Sequence, residues 1–123
     1  ITAAEPIGPK AMFDVLVVAP CTGNTMAKLA HGITDTTATM AIKSHLRGER
    51  PVVLALSTND ALAGPAENIG RLLNRRHYFF VPFGQDAPES KPRSLTSKLD
   101  LLPQTIACAM EGRQIQPILA GDM

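Results

Sequence analysis

At 123 residues the chain has the length of one domain, and its 45% hydrophobic content is enough to bury a core. A formal net charge of +1 excludes the strong basic field that nucleic-acid or membrane-surface binding needs. With no Trp, one Tyr and four Phe it has no platform for stacking single-stranded bases.

Two cysteines, Cys21 and Cys108, lie far apart without metal-ligand spacing, so no metal site is expected and a reducing cytoplasm suits them. No stretch reads as a signal peptide or as a span long enough to cross a bilayer. The first residue is Ile1, and Ile1-Thr2-Ala3-Ala4-Glu5-Pro6 reads as the middle of a longer sequence.

Residues 1–13 contain Pro6, Gly8 and Pro9 and read as a loop. Residues 14–19 (Asp14 to Ala19) are a continuous valine-rich run, the pattern of a strand buried on both faces. Thr22 or Asn24 can cap a helix to about His31, with Gly32 as its stop. Thr34 or Asp35 can cap a second helix through Ile42 and Leu46 to Arg47, ended by Gly48. Lys43, His45 and Arg47 suit the negative end of its dipole.

Residues 51–57 (Pro51 to Ser57) repeat the buried-strand pattern, followed by the polar loop Ser57-Thr58-Asn59-Asp60. A helix over 65–74 starts at Pro65 and offers Ile69, Leu72 and Leu73 to the core. Residues 77–82 (His77 to Pro82) form a third strand. Residues 83–93, with two prolines and a Gly, form a long loop. A last helix is expected from about Ser94 to Met110, kinked near Pro103 and stopped at Gly112, before an extended tail.

Strands alternating with helices predict an α/β fold with a doubly wound parallel sheet. Three strands are few for such a sheet, which again suggests that the N-terminal βα units lie outside this chain. All 123 residues then read as the C-terminal part of a single domain.

Each strand runs into a polar loop, and in a parallel sheet these loops share the carboxyl edge, where open α/β folds bind ligands. The loops are Thr22-Gly23-Asn24-Thr25, Ser57-Thr58-Asn59-Asp60 and Gly84-Gln85-Asp86. Asn24 and Asn59 can each offer a donor and an acceptor to a flat heterocycle or a carboxylate. They can equally be turn or capping residues. Cys21 either sits reactive at a helix N-terminus or packs as a small hydrophobe. Lys28 reads as solvated, Asp35 as a cap, and Lys91 and Arg93 as loop surface. No nucleophile-elbow or Walker-type motif is present.

The stretch Pro20-Cys21-Thr22-Gly23-Asn24-Thr25 resembles the Pro-Ala-Ser-Ala-Asn-Thr type motif of the superfamily of homo-oligomeric FMN flavoproteins. That superfamily includes phosphopantothenoylcysteine decarboxylase, the lantibiotic cysteine decarboxylases and the flavin prenyltransferase. The continuation Met26 to Asp35 is similar to the superfamily's Ala-Lys-x-Ala-x-Gly-x-x-Asp pattern. The resemblance implies a flavodoxin-like Rossmann fold. It implies FMN as cofactor, with Pro20, Cys21, Thr22, Gly23, Asn24 and Thr25 lining the flavin. It also implies a substrate facing Asn24 and Asn59, with Asn59 the catalytic position.

The second decarboxylase motif, Pro-x-Met-Asn-x-x-Met-Trp, corresponds to Leu56-Ser57-Thr58-Asn59-Asp60-Ala61-Leu62-Ala63, where only Asn59 survives. The decarboxylase His has no counterpart, because no His precedes His31. A further resemblance within the superfamily, carried by Ala4 to Lys10, Ala19 to Lys28, Leu56 to Leu62, Val81 to Asp86 and Gln114 to Pro117, implies one component of an oxidoreductase, acting on a small dicarboxylate beside a nicotinamide-dependent partner chain. An FMN-dependent decarboxylase or lyase, and a non-catalytic scaffold for the partner, stay open.

Overall fold

The computed structural model describes residues 4–6 and 15–120. Its elements are β1 (Ala4–Pro6), β2 (Leu16–Cys21), α1 (Gly23–His31), α2 (Thr37–Arg47), β3 (Val52–Thr58), α3 (Ala66–Leu73), β4 (Tyr78–Phe80), β5 (Phe83–Gly84), β6 (Leu95–Ser97) and α4 (Leu102–Met110).

The centre of the molecule is β2, β3 and β4, all parallel. Successive side chains of a strand point to opposite faces, and here both faces are apolar. Leu16, Val18, Leu54, Leu56 and Phe80 turn one way and meet Met26 and Leu29 of α1, Ile42 of α2, and Ile69 and Leu72 of α3. Val15, Val17, Val53, Ala55 and Val81 turn the other way and meet Ala109, Leu102 and Ile106 of α4. Helices thus cover both faces, which is why the strands read as unbroken hydrophobic runs rather than alternating ones.

The helix boundaries have local causes. Thr22 caps α1, its hydroxyl accepting from the Thr25 N–H at 3.3 Å. Gly32 ends the helix in a left-handed conformation (φ 72°) that Gly adopts without strain. Helix α2 is capped by Thr36, not by Thr34 or Asp35. Thr36 and Thr39 form a reciprocal capping box, with each side chain accepting from the other's backbone N–H at 3.0–3.1 Å. Asp35 instead pairs with Lys28 at 3.0 Å. Arg75 completes the C-terminus of α1, donating to Leu29 O at 2.9 Å and Ala30 O at 2.6 Å.

The sheet is not purely parallel. β1 pairs antiparallel with β2 (Ala4 opposite Val18, Pro6 opposite Leu16), so part of the expected N-terminal loop is a strand. The rest of that expected loop, and the expected strand start at Asp14, lie outside the described residues.

The larger difference is β6. The expected helix from Ser94 is instead a strand over Leu95–Ser97, a single 3-10 turn over Leu99–Leu101, and then α4 from Leu102. Pro103 lies in the first turn of α4, where its missing N–H costs nothing, so it starts the helix rather than kinking it. β6 pairs antiparallel with β3 at Ser57 and Thr58, and with β5 at Phe83 and Gly84. The strand order is therefore β1-β2-β3-β6-β5, with β4 also on β3.

β4 stays beside β3 only to Phe80, and Val81 makes the last bond, N–H to Leu54 O at 3.0 Å. β6 occupies the gap beyond. Ser97 secures the junction: its Oγ accepts from the buried Leu56 N–H at 2.7 Å and donates to Val81 O at 3.3 Å. The other side of β4 is closed by Gln114, whose side-chain amide accepts from Phe80 N–H at 2.8 Å and donates to Phe80 O at 2.7 Å. The tail then runs beside β5, with Phe83 N–H donating to Ile118 O at 3.0 Å and Ala120 N–H to Phe83 O at 2.8 Å.

Candidate functional site at the carboxyl edge

Two of the three polar loops come together. At the end of β2 the chain passes through Pro20, which has no N–H for the ladder, and the β2–β3 register shifts between Val18 and Cys21. Thr22 then opens α1, so the N–H groups of Gly23 and Asn24 sit in the first turn, where a helix provides no internal acceptor. Gly23 packs against the loop after β3: a β-carbon there would lie 3.1 Å from Thr58 Oγ1 and 3.7 Å from Asp60 Oδ1. Thr58 cannot easily yield, because it is buried and its hydroxyl donates to Asp60 Oδ1 at 2.9 Å. Gly23 is thus required by close approach, and it sets how near the loops of Asn24 and Asn59 come.

Asn24 and Asn59 are both exposed, one in the first turn of α1 and the other just beyond β3. Thr25 is buried and shares a hydroxyl contact with Thr22 at 3.3 Å. Cys21 faces the core among Met26 and Leu56, and burial pushes its thiol up to about 12. The side chain is fully buried, so any contact Cys21 makes with a ligand runs through its backbone.

The third loop does not join the other two. β6 stands between β3 and β5, and Gln85 folds onto its own loop, donating to Pro92 O at 2.8 Å. In place of that loop, β6 supplies a wall that the sequence pattern does not suggest. A cleft of about 330 Å³ opens at the carboxyl ends of β2 and β3, lined by Pro20, Ala55, Ser57, Thr96, Ser97 and Leu99. This volume lies at the lower end of the range of small-molecule sites, about 300–1,000 Å³. Pro20, Ala55 and Leu99 offer flat apolar contact, while Ser57 and Thr96 offer hydroxyls.

The sequence carries no clear signal for Thr96 and Leu99, since Ser94 to Leu99 reads as the start of the helix expected to run to Met110. Among the described residues no cluster of three or more His, Cys, Asp or Glu is placed to hold a metal ion. No helix there is long and apolar enough to cross a membrane.

Comparison with known proteins identifies the family and the fold. Residues 2–88 match the family described as Flavoprotein. The chain is 53% identical over 119 residues to the B subunit of dipicolinate synthase from Bacillus subtilis (strain 168), covering 97% of this chain and 60% of that protein. The crystal structure of the B subunit of dipicolinate synthase from Bacillus halodurans C superposes with a TM-score of 0.88 at 45% identity, covering 97% of this chain and 61% of that one. The chain thus spans about three fifths of the length of these relatives. Parallel strands covered on both faces, the carboxyl-edge loops and this match together mark a flavodoxin-like α/β fold, and the chain belongs to the Flavoprotein family.

Proposed function

We propose that this chain is the flavoprotein-type subunit of a dipicolinate synthase. In this reading the enzyme is an oxidoreductase that forms pyridine-2,6-dicarboxylate from a dihydro- or hydroxytetrahydro-dipicolinate precursor during sporulation, on a branch of lysine biosynthesis. The partner is the A subunit of dipicolinate synthase, a dehydrogenase-like chain that carries NAD(P). The complex is cytoplasmic, and the present chain forms a homo-oligomer. Similarity to the two B-subunit proteins over 97% of the chain supports the assignment.

The observation that carries a role for this chain is the meeting of the two loops at Gly23, on the carboxyl edge that also carries the Pro20–Leu99 cleft, where Pro20 is the one expected site residue in the cleft lining. The residues present suit FMN. A glycine with no room for a side chain allows close backbone approach, and the exposed first-turn N–H groups favour an electron-rich or anionic edge. Pro20 and Leu99 give flat apolar contact for a ring. Pro20, Cys21, Thr22, Gly23, Asn24 and Thr25 would hold the flavin, Cys21 through its main chain. A bound flavin supplies a two-electron acceptor, chemistry that no side chain here can provide. Asn24 and Asn59 orient the dicarboxylate through their amides, and Asn59 is the position closest to the reaction.

Among the described residues the cleft lining contains no nucleophile–base pair. A second reading is a scaffold that positions the dehydrogenase-like partner without touching substrate. An Asn59→Ala variant co-purified with that partner separates the two. Loss of dipicolinate formation with the complex intact and flavin retained supports the catalytic reading. Full activity refutes it in favour of the scaffold.

A further inference from the structure

At the opposite, amino-terminal edge of the sheet, a pocket of about 180 Å³ opens between the C-terminal halves of α1 and α2. Its walls are apolar: Leu29, Ile42 and Leu46, with Tyr78 beside them. Its rim is cationic, formed by Lys28, Lys43 and Arg75.

Two of these cations are already engaged. Lys28 pairs with Asp35 at 3.0 Å. Arg75 donates to the last carbonyls of α1. Lys43 is exposed. A helix C-terminus ordinarily repels anions, but here the Arg75 guanidinium donates to two of the last carbonyls of α1. Asp35 offsets the charge of Lys28, so Lys43 and Arg75 supply the positive charge of the rim.

Size and polarity restrict the occupant. A dry cavity of about 150 Å³ lined by aliphatic and aromatic side chains admits benzene, so a pocket slightly larger takes one six-membered ring with a small substituent. A neutral ring would leave the cationic rim without a function, and a bare inorganic anion would leave the apolar walls without one.

We propose that this pocket is a second ligand site, taking a single-ring aromatic carboxylate. The ring lies against Leu29, Ile42 and Leu46, and the carboxylate reaches Lys43 and the remaining donors of Arg75. The site is at the other end of the strands from the Pro20–Leu99 cleft, so it stands whether or not that cleft holds a flavin.

Calorimetric titration of the full chain with benzoate and with pyridine-2,6-dicarboxylate tests this. Saturable binding is expected for at least one of them. Benzyl alcohol, which keeps the ring and removes the charge, should bind at least about tenfold more weakly. Lys43→Glu, at an exposed position that leaves folding intact, should weaken the acid by about tenfold or more, and Lys43→Met should weaken it less. Thr96→Val, in the cleft at the opposite edge, should leave the affinity unchanged. The proposal is overturned if neither acid binds saturably, if benzyl alcohol binds as well as the acids, if Lys43→Glu has no effect, or if Thr96→Val abolishes binding.

Discussion

Replacing Ser97 by Ala tests the feature of the fold that shapes the cleft. Ser97 Oγ is the partner of a buried N–H, that of Leu56, at 2.7 Å, and it also donates to Val81 O at 3.3 Å. Alanine removes both bonds at a residue that is itself buried between β3 and β5. An unsatisfied buried donor costs about 1–3 kcal/mol, and the longer second bond adds less. The expected loss is about 2 kcal/mol, which lowers Tm by about 8 °C for a chain of this size. Urea unfolding followed by circular dichroism measures the loss, and amide hydrogen exchange should show the Leu56 N–H losing protection. Thr96→Ala, one residue away and facing the cleft, should cost less than about 0.5 kcal/mol. A Ser97→Ala loss no greater than that of Thr96→Ala would refute the role assigned to this hydroxyl.

Other outcomes follow from the same geometry. At pH 8, a thiol reagent should modify half-buried Cys108 and leave Cys21 unmodified until the protein unfolds. Burial raises Cys21 from 9.0 to about 12 and, with a small opposing effect of Arg75, Tyr78 from 10.0 to about 12. Both groups ionise more readily in the unfolded chain, so the stability that their protonated forms contribute is intact below pH 9 and falls as the pH rises from 9 towards 12. The limiting slope is about 1.4 kcal/mol per pH unit for each group, and urea titrations at about pH 8, 9.5 and 11 measure it; a flat profile would count against the burial of both. Gly32→Ala should cost about 1 kcal/mol from its left-handed conformation alone, since a β-carbon there meets nothing within 4 Å. A neutral result would mean that the helix stop relaxes.

What could be read from the chain, and what could not, divides along the range of the interactions. β2, β3 and α1 are visible because their causes are local: unbroken Val/Leu runs, a Thr cap three residues ahead of its partner, and a Gly just past the last helical turn. The nearness of the first two loops follows directly, since adjacent parallel strands end on one edge.

β6 is not visible, because nothing in Ser94-Leu95-Thr96-Ser97 demands a strand. It becomes one only where β4 parts from β3 and exposes the Leu56 N–H, a contact 41 residues away in sequence. That single non-local event also explains why Gly84, Gln85 and Asp86 leave the site and Thr96 and Leu99 enter it. The cap of α2 is ambiguous in the sequence for a smaller reason. Thr34, Asp35 and Thr36 are all competent caps, and only the reciprocal bond with Thr39 selects the third.

The loops of Gly23 and Thr58, with the Pro20–Leu99 cleft, are proposed to hold the ring of a flavin. Titrating FMN into the chain, alone and with the proposed dehydrogenase-like partner, while following the flavin absorption band and fluorescence tests this most directly. A saturable spectral shift with fluorescence quenching, lost in Gly23→Val because the larger side chain would collide with Thr58, is the predicted result. An FMN spectrum unchanged under both conditions, or a shift that Gly23→Val leaves intact, would contradict it.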